Sequence, residues 1–466
     1  METTASANSS AKASKILWTL LVISALWCLL ALLGFPFPQT DDVYYIGAGI
    51  NLANGGHLVN PMVEPLAPFY AYPPTQSYVI AGWLKLFGIS AASFVSLYLL
   101  FCWITTVCLV RGFQILGRDL LGWMAALTFV VVSASVGVRA DDCGFCFLAI
   151  SFLLGVSRHA SIRYWAPFFA LLAVSAVPAA MAIAFPWIIY LVATYKHMWK
   201  AAFVGGAAMA VLLCAMVEWH LGAFLAGFLE TSHRAGLGAG VWLMENWYRP
   251  MGALKSVYPV AVLAVLMGFS VLRRGFRLID PLVILSLVLA LYSMFVTVSG
   301  YRVMSLITVI AIGMYICILL PDSRWNRWLI LANGLIIAVS LARPLLQGIT
   351  EKQPSPAASA ALLAKIEAAH PSRIFVDHWS FRYVYNYRIA PSMLALDWSS
   401  RPYAHNGIVT VKYPDECWVI SPESVPIIGG FCPNGIPKPR YATMKGRDIG
   451  HWIANAEDLG VSLPGQ

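Results

Sequence analysis

The sequence predicts a polytopic α-helical membrane protein of about eleven spans, with a small α/β domain at its C-terminal end. Composition is the first reason. Of 466 residues, 59% are hydrophobic and 11% are charged, and the mean hydropathy is +0.71. A water-soluble domain carries roughly 25% charged residues, so lipid must be the solvent for most of this chain. Apolar runs of membrane-spanning length are the second reason, and a rise in charge after Pro344 is the third. The net charge of +9 does not point to nucleic acid. The basic residues fall in short clusters between apolar runs, as in cytoplasmic loops.

The spans are expected near 15–35, 91–110, 120–138, 143–157, 164–177, 179–195, 201–227, 256–272, 279–298, 303–320 and 327–343. The first run, Leu17 to Leu33, follows Lys12 and Lys15. It reads as a retained span, because no small-x-small cleavage site precedes Phe35-Pro36-Phe37-Pro38. This threading puts thirteen basic residues inside: Lys12, Lys15, Arg111, Arg118, Arg158, Arg163, Lys196, Lys200, Arg273, Arg274, Arg277, Arg324 and Arg327. Six fall outside, at Lys85, Arg139, Arg234, Arg249, Lys255 and Arg302. That bias is the one the positive-inside rule expects. The segment Pro74–Phe87 is too short to cross and reads as an amphipathic helix in the outer interface. The expected layout is a transmembrane region over 1–343, with a long first outer loop over 36–90, and an extracytoplasmic domain over 344–466.

The first outer loop concentrates chemistry. Thr40 is placed to cap a short helix with apolar Val43, Ile46, Ile50 and Leu52, and Asn54-Gly55-Gly56 is placed to end it. Asp41 and Asp42 sit at its start, where the helix dipole favours carboxylates. Glu64 follows in the same loop, and Asp141 and Asp142 lie between spans three and four on the same side. Ionisable groups at a membrane face are usually functional.

Asp41-Asp42-x-x-Tyr45, Gly55-Gly56, Tyr72-Pro73-Pro74 and Leu86-Phe87-Gly88 resemble the first outer loop of GT-C glycosyltransferases. The likeness is strongest to the branch of aminoarabinose transferases and protein O-mannosyltransferases. Arg139-Ala140-Asp141 is similar to that branch's Arg-Pro-Asp. Asp42 stands where the branch has Glu, Ala140 where it has Pro, and Tyr301-Arg302 reverses its later Arg-Tyr signature. The resemblance covers about residues 15–160 and implies transfer of a sugar from a polyprenyl-phosphate donor, with inversion at the anomeric carbon.

The residues suit that chemistry. An acceptor hydroxyl needs a general base, for which Asp41 is the candidate. Asp42 is placed to orient it or to bind a divalent cation through oxygen, with Asp141 a second metal ligand. Asp141 or Asp142 would complete the site. Tyr45, Tyr72 and Arg139 are candidate substrate-binding residues. Arg249, Lys255 and Arg302 are candidates for holding the lipid phosphate, although interfacial snorkelling explains such cations equally well. Arg139 also has Asp141 and Asp142 as ion-pair partners. No glycine-rich nucleotide loop follows a strand, so no nucleotide cofactor is expected. The partners expected are the donor, a lipid, glycan or protein acceptor, and the membrane, with no nucleic acid. The plasma (inner) membrane is the expected location.

Other features read more simply. Cys143-Gly144-Phe145-Cys146 has no partner cluster and reads as packing. Cys417 and Cys432 are either a disulfide or two free thiols. Glu218 and His220 fall within span seven, two positions apart and so on different helix faces. Glu245 and His233 in the fourth outer loop are minor candidates. In the C-terminal segment, Pro356–Ala369 predicts a helix, and Arg373–Asp377, Ile408–Val411 and Trp418–Ile420 predict strands. His378, His405 and His451 are scattered. Two rival functions remain at this level: a transporter or flippase for lipid-linked sugars, which should show internal repeats and interrupted helices, and a non-catalytic scaffold.

Overall fold

The computed structural model describes residues 42–60, 74–119 and 140–227, scattered residues over 18–29, 122–130 and 271–289, and short strands between 373 and 455. The described residues are mostly helical. In chain order the helices are α1 (Asp42–Ala53), α2 (Thr75–Phe87), α3 (Ala91–Ile115), α4 (Ala140–Gly155), α5 (Ala160–Arg163), α6 (Ala166–Ala176), α7 (Met181–Thr194) and α8 (Met198–Met216). Two stretches, Ala92–Ile115 and Met198–Met216, are long and apolar enough to cross a membrane. At 1.5 Å per residue, α3 is about 38 Å long and α8 about 29 Å, against a hydrocarbon core of about 30 Å.

The chain divides into two compact units. One holds Met1–Pro36, Tyr70–Gln76 and Val95–Leu346; the other holds Phe37–Phe69, Ser77–Phe94 and Gln347–Gln466. The first is a helix bundle in which α6 packs against α4, α7 and α8. Small residues make this possible. Ala166, Ala170, Ala173 and Ala176 form the buried stripe of α6, and Gly205 of α8 brings its backbone against Phe168. Lipid offers no hydrophobic gain for helix association, so close backbone approach and interhelical hydrogen bonds carry it. One such chain of bonds is buried: Trp187 Nε1 donates to Ser151 Oγ (3.2 Å), which donates to the Ala166 carbonyl (2.7 Å). Helix α8 buries Met198, Ala201, Gly205, Met209 and Met216 and exposes Phe203, Val204 and Val211, as a lipid-facing helix should.

The bundle has two distinct ends. At one, the Thr75 and Ser175 hydroxyls are 2.6 Å apart and Thr75 Oγ1 lies 3.9 Å from Met216 Sδ, while Gly144 lies against Val177. At the other, the Phe113 and Phe152 rings meet at 4.9 Å. There Arg163 stacks 3.7 Å over the Tyr195 ring and donates from Nε to the Ser157 carbonyl (3.2 Å). The threading assigns Thr75 to an outer loop, Ser175 and Gly144 to outer span ends, and the Arg163 group to the inner side; Met216, expected within span seven, instead ends α8 at the Thr75 end.

In the second unit, α1 ends as expected at Asn54-Gly55-Gly56. Gly55 takes φ +85°. Its N–H bonds to the Leu52 carbonyl (3.1 Å) and that of Gly56 to the Asn51 carbonyl (3.0 Å), the Schellman closure of a helix. The strands form a sheet of order β2-β1-β3-β6, with β1 (Arg373–Asp377) parallel to β2 (Leu394–Asp397) and to β3 (Cys417–Ile420). Strand β6 (Ala454–Asn455) is antiparallel to β3, and β4 (Tyr441–Ala442) pairs antiparallel with β5 (His451–Trp452). The strand expected at Arg373–Asp377 is present with those bounds. Those expected at Ile408–Val411 and the helix at Pro356–Ala369 lie outside the described residues.

Two expectations need correction. The run 201–227 is not one helix: α8 stops at Met216, and helix resumes at 221–227 after a break. Glu218 and His220 therefore sit in a turn. Asp141 and Asp142 are not loop residues, because α4 begins at Ala140. The run expected near 164–177 holds the 11-residue helix α6, ended as expected before 178 by extended Val177 and a 3-10 turn at Pro178–Ala180, where proline cannot continue the hydrogen-bond ladder.

Close packing predicts an asymmetry between two glycines. A Cβ at Gly155 would overlap the Trp187 ring, whereas one at Gly82, inside α2, meets nothing. Gly155→Ala should destabilise the detergent-solubilised protein by about 1–3 kcal/mol, and Gly82→Ala should stabilise it by about 0.5–1 kcal/mol, both read by thermal melting.

Candidate functional site

The described part of the first loop is built on a packed helix. Helix α1 starts at Asp42; Asp41 and the proposed cap Thr40 lie outside the described residues, as do the side chains of Asp42 and Tyr45. Its buried Ile46, Ala48 and Ile50 face inward. Gly49 lets its backbone approach α2: a Cβ there would sit 2.7 Å from Ile80 Cγ2 and 3.1 Å from the Ser77 carbonyl. Past the closing turn, Asn51 Nδ2 donates to the His57 carbonyl (2.9 Å), and Asn60 beyond it is buried.

Helix α2 buries Ile80, Ala81 and Leu84 together with the polar Thr75, Gln76 and Ser77, and exposes Lys85, Leu86 and Phe87, so its faces do not divide into the apolar and polar sides expected. Trp83 Nε1 donates to the Ser93 carbonyl (2.8 Å) and its ring meets Phe87 at 4.2 Å. The Leu86-Phe87-Gly88 motif is thus the end of this helix, and Gly88 turns it toward α3. The start of α2 carries Thr75, which binds Ser175 and Met216 as described. No sequence signal singled out that contact, because it joins positions 100 and 141 residues apart.

The second acidic pair opens α4. The side chain of Asp141 lies outside the described residues. Asp142 is buried, with 2% of its surface exposed. It lies within electrostatic reach of Cys143 and Cys146, and Cys146 in turn faces Cys108 and the Thr105 hydroxyl. These thiols are buried, which fits the packing role expected of the Cys-x-x-Cys spacing. Hydropathy treats an aspartate as exposed; the first turn of a helix, with its free N–H groups, is where a carboxylate can be buried.

Tyr72, Arg139, Arg249, Lys255 and Arg302 lie outside the described residues, as do Glu64, His233, Glu245 and Cys432. Among the described residues no group of three or more His, Cys, Asp or Glu side chains is arranged to hold a metal ion. Asp42 and Asp141, the expected ligands, are not described as side chains.

A feature the sequence did not mark lies at the break after α8. Glu218 has φ +54° and Trp219 φ +66°, left-handed conformations that cost a non-glycine residue roughly 1–2 kcal/mol each. They complete a Schellman closure: the Glu218 N–H bonds to the Ala215 carbonyl (3.1 Å) and the Trp219 N–H to the Cys214 carbonyl (2.7 Å). Both side chains are exposed, Trp219 by 73%.

Comparison with known protein families and with curated proteins returns no match for the chain.

The burial of Asp142 predicts a structural effect. Asp142→Ala should lower stability by about 1–3 kcal/mol, because it strips the partners of a buried polar group. Thermal melting of the purified protein checks this, and an unchanged melt would show that the carboxylate holds nothing.

Proposed function

We propose that the chain is a multi-pass membrane glycosyltransferase. It moves a sugar from a polyprenyl-phosphate donor to a hydroxyl of a lipid, glycan or protein acceptor, on the extracytoplasmic face of the plasma membrane. The eleven-span threading and the extracytoplasmic placement of residues 344–466 belong to this reading. What carries it is the build of the first loop. Its helix α1 starts at Asp42, is closed by Asn54-Gly55-Gly56 and is seated on α2 through Gly49. Thr75 at the start of α2 bonds to Ser175 at the end of the bundle where α4 opens with Asp141 and Asp142.

The chemistry follows from the residues. Asp41 takes the proton of the acceptor hydroxyl as its oxygen attacks the anomeric carbon. The bond from that carbon to the phosphate oxygen breaks, and polyprenyl phosphate leaves with the electron pair. Asp42 orients the base, and proximity of the two carboxylates raises the affinity of one for a proton. Tyr45, Tyr72 and Arg139 position the substrates, and Arg249, Lys255 and Arg302 offset the charge of the leaving phosphate.

The break at Val217–His220 favours a second reading, since transporters carry interrupted helices. The two readings differ in product: a transporter releases no polyprenyl phosphate. Purified wild type and Asp41→Asn are to be assayed for that product against a panel of polyprenyl-phosphate sugars. Loss of the base should slow release by roughly 10²–10⁴-fold. Equal release by the two proteins, or none from wild type with any donor, contradicts the transferase.

A further inference from the structure

We propose that Glu218 and Trp219 form a saccharide-binding subsite at the Thr75 end of the bundle, taking a neutral sugar ring of the donor or the acceptor. The inference rests on the transferase reading and adds a recognition element to it.

Its starting point is a contrast within the chain. Gly55, Gly88, Gly117 and Gly275 supply the left-handed residue where the described chain turns. Where a turn only has to end a helix, glycine does it without a steric penalty. After α8 the same closure is built from Glu218 and Trp219, in spite of their side chains. A strained conformation that persists where a smaller residue would relieve it marks side chains that are used. A tryptophan serving only as an interfacial anchor would need no such backbone, since any helical position near the lipid boundary presents the ring.

The turn is also held rigidly. Met216 and Val217 are buried beneath it, Met216 meets Thr75, and the His220 N–H bonds to the Val217 carbonyl (2.9 Å) before helix resumes with Phe224 on the His220 carbonyl (2.9 Å). At this turn the Glu218 and Trp219 side chains, neighbours in the chain, are both exposed. The apolar face of a pyranose or pentose packs on an indole, and a carboxylate accepts strong hydrogen bonds from its hydroxyls.

The test uses the full chain in lipid nanodiscs. Saturation-transfer NMR with a panel of methyl glycosides reads binding, and thermal melting reads stability, for wild type, Trp219→Ala, Trp219→Phe and Glu218→Gly. Wild type should bind at least one glycoside. Trp219→Ala should weaken binding by about tenfold or more, and Trp219→Phe by less, as expected for loss or trimming of an aromatic platform. Glu218→Gly should weaken binding and raise the melting temperature, the exchange of function for stability expected of a strained site. Glycoside signals unchanged in Trp219→Ala and Glu218→Gly, or absent from wild type, overturn the subsite. So does a Trp219→Ala protein that loses thermal stability alone, the mark of an interfacial anchor. Release of polyprenyl phosphate is read from the same preparations. Release by wild type with unaltered glycoside binding in the variants overturns the subsite and leaves the transferase standing; glycoside binding without release does the reverse. A higher KM for the donor in Trp219→Ala assigns the donor's sugar, and a higher KM for the acceptor assigns the acceptor's.

Discussion

The 2.6 Å hydrogen bond between Thr75 and Ser175 ties the start of α2 into the helix bundle. Both hydroxyls sit among apolar side chains, where an unpaired polar group is costly, so the pair has a strong reason to stay together. Ser175 is further tied to the Leu172 carbonyl (2.9 Å), and Met209 and Met216 enclose the two hydroxyls from α8. This one contact brings the start of α2, the end of α6 and the end of α8 to the same place. Gly144 against Val177 adds the start of α4.

Around that point the bundle is built from small residues and few polar bonds. The alanine stripe of α6 and the glycines at 144, 155 and 205 let backbones approach where lipid gives no hydrophobic reward. The same economy makes the break after α8 conspicuous. There the chain accepts two left-handed residues with large side chains, a local conflict of the kind found at functional or strained sites.

Much of this was legible in the sequence where local chemistry decides structure. Asn54-Gly55-Gly56 ends α1 because glycine tolerates the left-handed turn, and Arg373–Asp377 forms a strand because it is short, apolar and β-branched within. The helix expected over Pro74–Phe87 is present as α2, Thr75–Phe87. Hydropathy failed where it stands in for geometry. It read 201–227 as continuous, since Val217-Glu218-Trp219-His220 contains neither glycine nor proline to signal a break. It placed Asp141 and Asp142 in a loop, since it equates charge with exposure and ignores the free N–H groups of a helix start. The Thr75 latch was invisible because no local pattern encodes a contact 100 residues distant.

The central claim is that the two acidic pairs and the turn after α8 share the extracytoplasmic face. A membrane-impermeant maleimide applied to intact cells tests it directly, with single cysteines introduced at exposed positions. Asn54→Cys and Glu218→Cys should be labelled, and Arg158→Cys and Lys196→Cys should be labelled only after the membrane is permeabilised. Labelling of Arg158→Cys or Lys196→Cys from outside, or protection of Asn54→Cys while Glu218→Cys reacts, would contradict the account.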